Sequence, residues 1–344
     1  MMMRRWVIVV LVVAVSMPLS RCWAQSPVTL EQRFSANDSL AIGDEADARA
    51  REFLERLAWT PASFDVTFEE PDRRKGDVLV RFPSAVVSGD ETNDLVAMEW
   101  YVARDLEGRP LDHAPAVVVV HESGRGMEVG RVIAKGLALE GLHGFMIQMP
   151  GYGKRRGSEP RDDSAWLHAM RQAIADVRRA RDAVAVLPTV DSELIALQGT
   201  SLGGFISATV AGLDHGYDRV FVLLAGGNIQ QVIEQGDRDA AGLRKRLEAV
   251  GITGDGLREL TEQVEPLTVA HRVDAAHTWL YTGRHDTVVP PACSRAWSEA
   301  VGLESDHYRV LEADHYTGII FLPQVLGEMF ELTTGRELLV PGEE

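Results

Sequence analysis

The sequence predicts an α/β fold: a mostly parallel central sheet with helices on both faces and a small helical insertion. Three observations carry this. From Asp77 onward, short runs rich in Val, Ile, Leu and Phe alternate with segments whose apolar residues recur at helical spacing. Several runs are apolar almost throughout, the four valines Val117 to Val120 among them, as strands covered on both faces must be. The alternation continues to Thr334 with no internal repeat and no low-complexity stretch. The 344-residue chain is 45% hydrophobic and 25% charged, ordinary values for a globular protein with room for a sizeable core.

Residues 1–24 stand apart from that fold. Arg4 and Arg5 precede an unbroken apolar run of ten residues, Trp6 to Val15, and Cys22-Trp23-Ala24 has the shape of a cleavage site. The run is short for a membrane span, which needs ~20 apolar residues. We read 1–24 as a signal peptide cut after Ala24, and the protein as exported to the periplasm or the medium, with no membrane attachment after cleavage. Cleavage would remove Cys22 and leave Cys293 as the one thiol, so no intrachain disulfide is expected.

Residues 25–76 form an N-terminal extension expected to pack on the main domain. In "DEADARAREFLERLAW" the spacing of Ala46, Ala50, Phe53, Leu54 and Leu57 predicts a helix with one apolar stripe. The main domain, 77–344, opens with "DVLVRFPS" and "LVAMEWYVA", read as an antiparallel pair at a sheet edge. "APAVVVVHE", "HGFMIQMPG", "LIALQGTS", "RVFVLLAGG", "AHTWLYTGRHD" and "HYRVLEAD" follow as further strands. Helices are predicted at "MEVGRVIAKGLALEG", "LGGFISATVAGL" and "GIIFLPQVLGEMFELTT". A long one runs through "DSAWLHAMRQAIADVRRARDAVAVL", where Trp166, Met170, Ile174, Val177 and Val184 share a face and Asp163 or Ser164 would cap it. Residues 229–272 are rich in Gln, Glu, Asp, Arg and Leu, and predict two or three inserted helices that either cover a site or decorate the domain.

One motif carries chemistry. Gly199-Thr200-Ser201-Leu202-Gly203 fits a turn that takes a buried strand sharply into a helix and leaves a serine at its apex. The glycines two residues away on each side leave room for the close backbone approach that such a turn forces. A serine hydroxyl is a poor nucleophile until a base takes its proton and an acid orients the base. On this scaffold the acid and then the histidine follow the serine in the chain. Asp286 lies just past a predicted strand, and His315 just past the next. Asp274 precedes its strand, at the wrong end, and Asp314 adjoins the histidine, so Asp286 is the expected acid. Cys293 is expected to be a small buried residue, His285 a loop residue, and the run Lys154, Arg155, Arg156 a solvated face.

On these segments the chain resembles the α/β-hydrolase superfamily, in particular dienelactone-hydrolase-like and acetyl-esterase-like serine hydrolases. "TGRHDTVVP" resembles the acid-bearing loop, "EPLTVAHRV" the segment before its strand, and "VVVVHESG" the strand and oxyanion loop. The resemblance covers about residues 77–334. It implies Ser201 as nucleophile, His315 as base and Asp286 as acid. It further implies an oxyanion hole made by the backbone N–H groups of Leu202 and Ser123, with Glu122 the next candidate. Glu122 and Tyr152 would line the pocket, and His121 would brace the oxyanion loop.

The net charge of −16 argues against nucleic-acid or anionic-membrane partners. The sequence holds no metal-binding motif, no phosphate-binding loop and no dinucleotide fingerprint, so no metal and no cofactor is expected. The expected activity is cleavage of a carboxylic ester on a small molecule or carbohydrate. The alternatives are a prolyl-oligopeptidase-like peptidase and a non-catalytic binding protein on the same fold; nothing in the residues speaks to oligomeric state.

Overall fold

The structure, a computed structural model, describes residues 26–157 and 165–336. The signal-peptide reading and the caps expected at Asp163 and Ser164 lie outside the described residues.

The chain opens with β1 (Phe34–Asn37), α1 (Ala48–Leu57), β2 (Ser63–Glu69), β3 (Val78–Pro83), a single turn α2 (Glu91–Asp94) and β4 (Leu95–Tyr101). Strand and helix then alternate: β5 (Ala114–Val120), α3 (Glu128–Leu139), β6 (His143–Gln148), α4 (Trp166–Ala185), β7 (Val190–Thr200), α5 (Leu202–Asp214) and β8 (Arg219–Leu223). Three helices interrupt this, α6 (Ile229–Gln235), α7 (Asp239–Ala249) and α8 (Gly254–Glu262). The chain closes with β9 (Thr278–Gly283), α9 (Pro291–Val301), β10 (Tyr308–Leu311) and α10 (Leu322–Thr334).

All ten strands form one sheet in the order β1-β2-β3-β4-β6-β5-β7-β8-β9-β10. The first four pair antiparallel, β4 pairs antiparallel with β6, and the rest are parallel. Val117 to Val120 of β5 pair with β6 on one side and β7 on the other, with no exposed surface. From β5 the chain steps outward to β6 and then returns across β5 to β7. The order reverses there, the topology at which open α/β sheets place a crevice outside the carboxyl ends of their strands.

The expected edge pair is not at the edge. β2 adds to β3 and β1 to β2, so the N-terminal extension continues the sheet. The residues explain it: in β2, Phe64, Val66 and Phe68 face inward while Ser63, Asp65 and Glu69 face out, and Phe34 of β1 meets Phe68 edge-on at 5.8 Å. Helix α1 begins later than expected because the Asp47 carboxylate accepts from Ala50 N–H at 2.7 Å, so Ala46 precedes the helix and is exposed.

The polar face of α4 is buried as well as its apolar one. Arg178 Nε donates to both carboxylate oxygens of Asp214 at 2.8 and 2.9 Å, and its other nitrogens reach Asp182 at 3.1 Å and Ser39 Oγ at 2.9 Å. Ser39 also donates twice to Asp182, and Ala41 N–H donates to Asp214, so the arm before α1 is fastened over this face. Arg178→Met would take the guanidinium from two carboxylates whose side chains are 4% and 1% exposed, leaving Asp182 with Arg181 at 3.7 Å and Asp214 with no cation among the described residues. The expected cost is about 3–5 kcal/mol, read as a fall in the urea midpoint at unchanged slope. A loss under about 1 kcal/mol would mean that the remaining donors, Ser39 on Asp182 and the Ala41 and Gly216 N–H groups on Asp214, satisfy both carboxylates.

The helical insertion ends earlier than its composition suggests. Pro266–Arg272 is a 3-10 segment whose Val269 and Ala270 are buried against α5, in the main domain. Glu265 closes the base of the insertion: its carboxylate accepts from Asn228 and Ile229 N–H at 2.9 and 2.8 Å and from Leu267 N–H at 3.1 Å. Burial pushes the Glu265 carboxyl above its ordinary range. No helix among the described residues is long and apolar enough to cross a membrane.

Candidate active site

Ser201 stands between the end of β7 and the start of α5 at φ 53° and ψ −117°, a conformation that few residues other than glycine adopt. Its own N–H is held by Leu223 O at 2.9 Å. The turn is tight enough to exclude side chains beside it. A Cβ on Gly199 would lie 2.2 Å from Gly203 O, and one on Gly203 would lie 2.2 Å from Val120 O. The close approach expected of the two glycines is therefore present, and the second of them seats α5 against the end of β5.

The serine meets the residues expected of it. The Ser201 hydroxyl donates to His315 Nε2 at 3.0 Å, and His315 Nδ1–H donates to Asp286 Oδ2 at 2.7 Å. The Asp286 carboxylate can only accept, so Nδ1 carries the hydrogen and Nε2 is left to accept from Ser201. The other Asp286 oxygen accepts from Val288 and Val289 N–H, both at 2.8 Å. The Asp286 carboxylate is thus held from behind and buried, with its side chain 1% exposed. Asp314, the neighbour that could have competed, turns away and accepts from Tyr316 and Thr317 N–H. Asp274 binds His277 before β9, and His285 faces Glu312 at the surface.

The loop after β5 is braced from several sides. His121 is fully buried; its Nδ1–H donates to Glu122 O at 2.6 Å and its Nε2 accepts from Met149 N–H at 3.1 Å. Tyr152 does not present itself as pocket lining. It is buried edge-on against His121, and its hydroxyl donates to Ser123 O at 2.9 Å. Glu122 is likewise turned away from the serine, because its carboxylate accepts from Val129 and Gly130 N–H in the first turn of α3. Leu202 occupies the first position of α5, where a backbone N–H has no acceptor within the helix. Leu202 and Ser123 belong to the two segments that Gly203 packs together.

A further expectation is overturned. Arg155 is not part of a solvated face: it is fully buried and donates to Asn93 O, Gln148 O and Asp176. Its partners come from three other segments, which no local charge pattern reveals. Lys154 pairs with Asp72 at 2.8 Å, and Arg156 is exposed. Cys293 is buried as expected, and burial, with the Glu265 and Asp286 carboxylates near it, pushes its thiol up to about 11. It stays protonated and unreactive near neutral pH. Three residues at this site went unnoticed in the sequence: Arg238 and Asp239, from the insertion, and Tyr316. Nothing in their spacing marks them, since only the folded chain brings the insertion to the loops that carry Ser123 and His315. Among the described residues no cluster of three or more His, Cys, Asp or Glu is placed to hold a metal ion.

No protein-family model matches the sequence, and no curated protein matches it. Solved structures do match in three dimensions. An acetyl xylan esterase from a Paenibacillus species superposes with a TM-score of 0.60 at 16% identity, over 85% of this chain and 96% of that one. Acetyl xylan esterase 1 from a Thermoanaerobacterium species gives 0.58 at 15% identity, over 86% and 98%. A puromycin-hydrolyzing peptidase of Mycobacterium tuberculosis gives 0.57 at 17% identity, over 80% of this chain but 46% of its own. At such identities the likeness establishes the fold.

Proposed function

On the α/β-hydrolase fold that this chain adopts, we propose that it works as an exported serine hydrolase cleaving a carboxylic ester. The observation that carries the reading is the continuous hydrogen-bonded line from the Ser201 hydroxyl through His315 to buried Asp286. Ser201 Oγ attacks the acyl carbonyl while His315 Nε2 takes its proton. The imidazolium so formed is stabilised by Asp286. Negative charge on the former carbonyl oxygen is met by the N–H groups of Leu202 and Ser123. His315 then returns the proton to the departing alcohol, and water releases the acyl group by the same route in reverse. No metal or cofactor enters these steps.

One feature favours an ester on a small molecule or carbohydrate over a peptide: the chain spans nearly the whole of two acetyl xylan esterases but about half of the peptidases it superposes on. Export rests on the pattern of residues 1–24. The test is fluorophosphonate labelling of the purified protein, followed by steady-state rates on aryl esters of increasing acyl length and on peptide amides. Labelling with turnover of short-chain esters is expected. No labelling would remove the hydrolase reading, and amide cleavage without ester cleavage would replace the esterase with a peptidase.

A further inference from the structure

The turn between α6 and α7 crosses the site from loop to loop. Asp237 N–H donates to Thr287 O at 2.9 Å, which docks the turn beside Asp286. Arg238 follows at φ 49° and ψ −105°, where side chains are strained. Its guanidinium lies 4.6 Å above the ring of Tyr316, the residue after His315. Asp239 then accepts from Ser123 Oγ at 3.2 Å. Three consecutive residues of the insertion therefore touch the acid loop, the base loop and the oxyanion loop. Strain such as that at Arg238 persists only where surrounding contacts over-determine the backbone, and it concentrates at functional sites. Burial, and next the Asp239 carboxylate, push the Tyr316 phenol up.

Ser123 is gripped on two sides. Tyr152, in the loop after β6, holds its carbonyl oxygen, and Asp239 holds its hydroxyl from the insertion. We propose that Asp239 is a positioning residue: it fixes the Ser123 peptide so that its N–H faces the carbonyl bound at Ser201, while Arg238 anchors the same turn to the base loop. This rests on the serine-hydrolase reading and extends it, because the insertion then completes the site. A peptide N–H misplaced by a fraction of an ångström stabilises the oxyanion poorly but leaves substrate contacts largely intact, so the effect falls on kcat.

The test compares Asp239→Ala, Asp239→Asn, Ser123→Ala and the Asp239→Ala/Ser123→Ala double variant. Asp239→Ala is expected to lower kcat on an aryl ester about tenfold with KM within about threefold. Asp239→Asn should recover most of the loss, since its amide oxygen still accepts from the Ser123 hydroxyl. Ser123→Ala should match Asp239→Ala, and the double variant should be no worse than either. Hydrogen exchange supplies a readout independent of turnover: amides of residues 121–126 should exchange faster in Asp239→Ala than in the wild type or Asp239→Asn. Unchanged exchange in Asp239→Ala, or losses that multiply in the double variant, overturn the proposal. If the wild type neither takes the fluorophosphonate nor cleaves esters, the hydrolase reading fails, and exchange at 121–126 still decides whether Asp239 holds the loop.

Discussion

Ser201→Ala is expected to abolish fluorophosphonate labelling and to lower kcat on an aryl ester by about 10⁴-fold or more. The size follows from what is lost. Without the hydroxyl there is no acyl-enzyme, and the remaining rate comes from binding and from the oxyanion N–H groups acting on water. The loss should be purely chemical. Alanine keeps the Cβ that the turn already tolerates at φ 53°, and the backbone N–H at 201 still donates to Leu223 O. The thermal midpoint should therefore stay within about 2 °C of the wild type, far less than a core defect would cause. Labelling that survives the substitution would place the nucleophile elsewhere.

Asp286→Asn is expected to cost about 10⁴-fold in kcat, through a proton on the wrong nitrogen. One carboxylate oxygen accepts from Val288 and Val289 N–H, so the asparagine oxygen must take that position. Its amide group then points at His315 Nδ1 as a donor, where the native carboxylate accepts. Nδ1 has to become the acceptor and Nε2 the N–H. A histidine in that tautomer presents a hydrogen to Ser201 instead of a lone pair, and no base remains for the hydroxyl. The geometry is preserved, so labelling should slow in step with turnover while folding is unaffected. Retention of activity within about tenfold would show that another residue orients His315.

The sequence displays what local pattern can encode. Strands buried on both faces, such as β5, must be apolar throughout, and so they announce themselves. The elbow does too, because the clash that a Cβ at 199 or 203 would cause restricts both positions to glycine. Asp286 and His315 are legible through their order and their places at strand ends. What escapes is what depends on partners far away in the chain. β1 is four residues long and β2 alternates polar with apolar, and only the folded chain shows Phe34 meeting Phe68 across the pair. Helix α9 opens on the second of two prolines and carries few large apolar residues, so its helical spacing is weak. Arg155 looks solvated until Asp176 is folded onto it. Glu122 and Tyr152 were found near the site, but hydrogen bonds to α3 and to the oxyanion loop decide which way they face.

The clasp at Glu265 has a bearing on how such a protein changes over time. One carboxylate binds Asn228 and Ile229 at the start of the helical insertion and itself marks the insertion's end. The segment thus leaves the sheet and rejoins it at a single point, between β8 and β9. A cassette with both ends at one place can lengthen, shorten or be exchanged for another without shifting either strand. Retailoring the segment then requires that the replacement restore the clasp and the contact of Asp239 with Ser123, and the rest of it can vary apart from the chemistry.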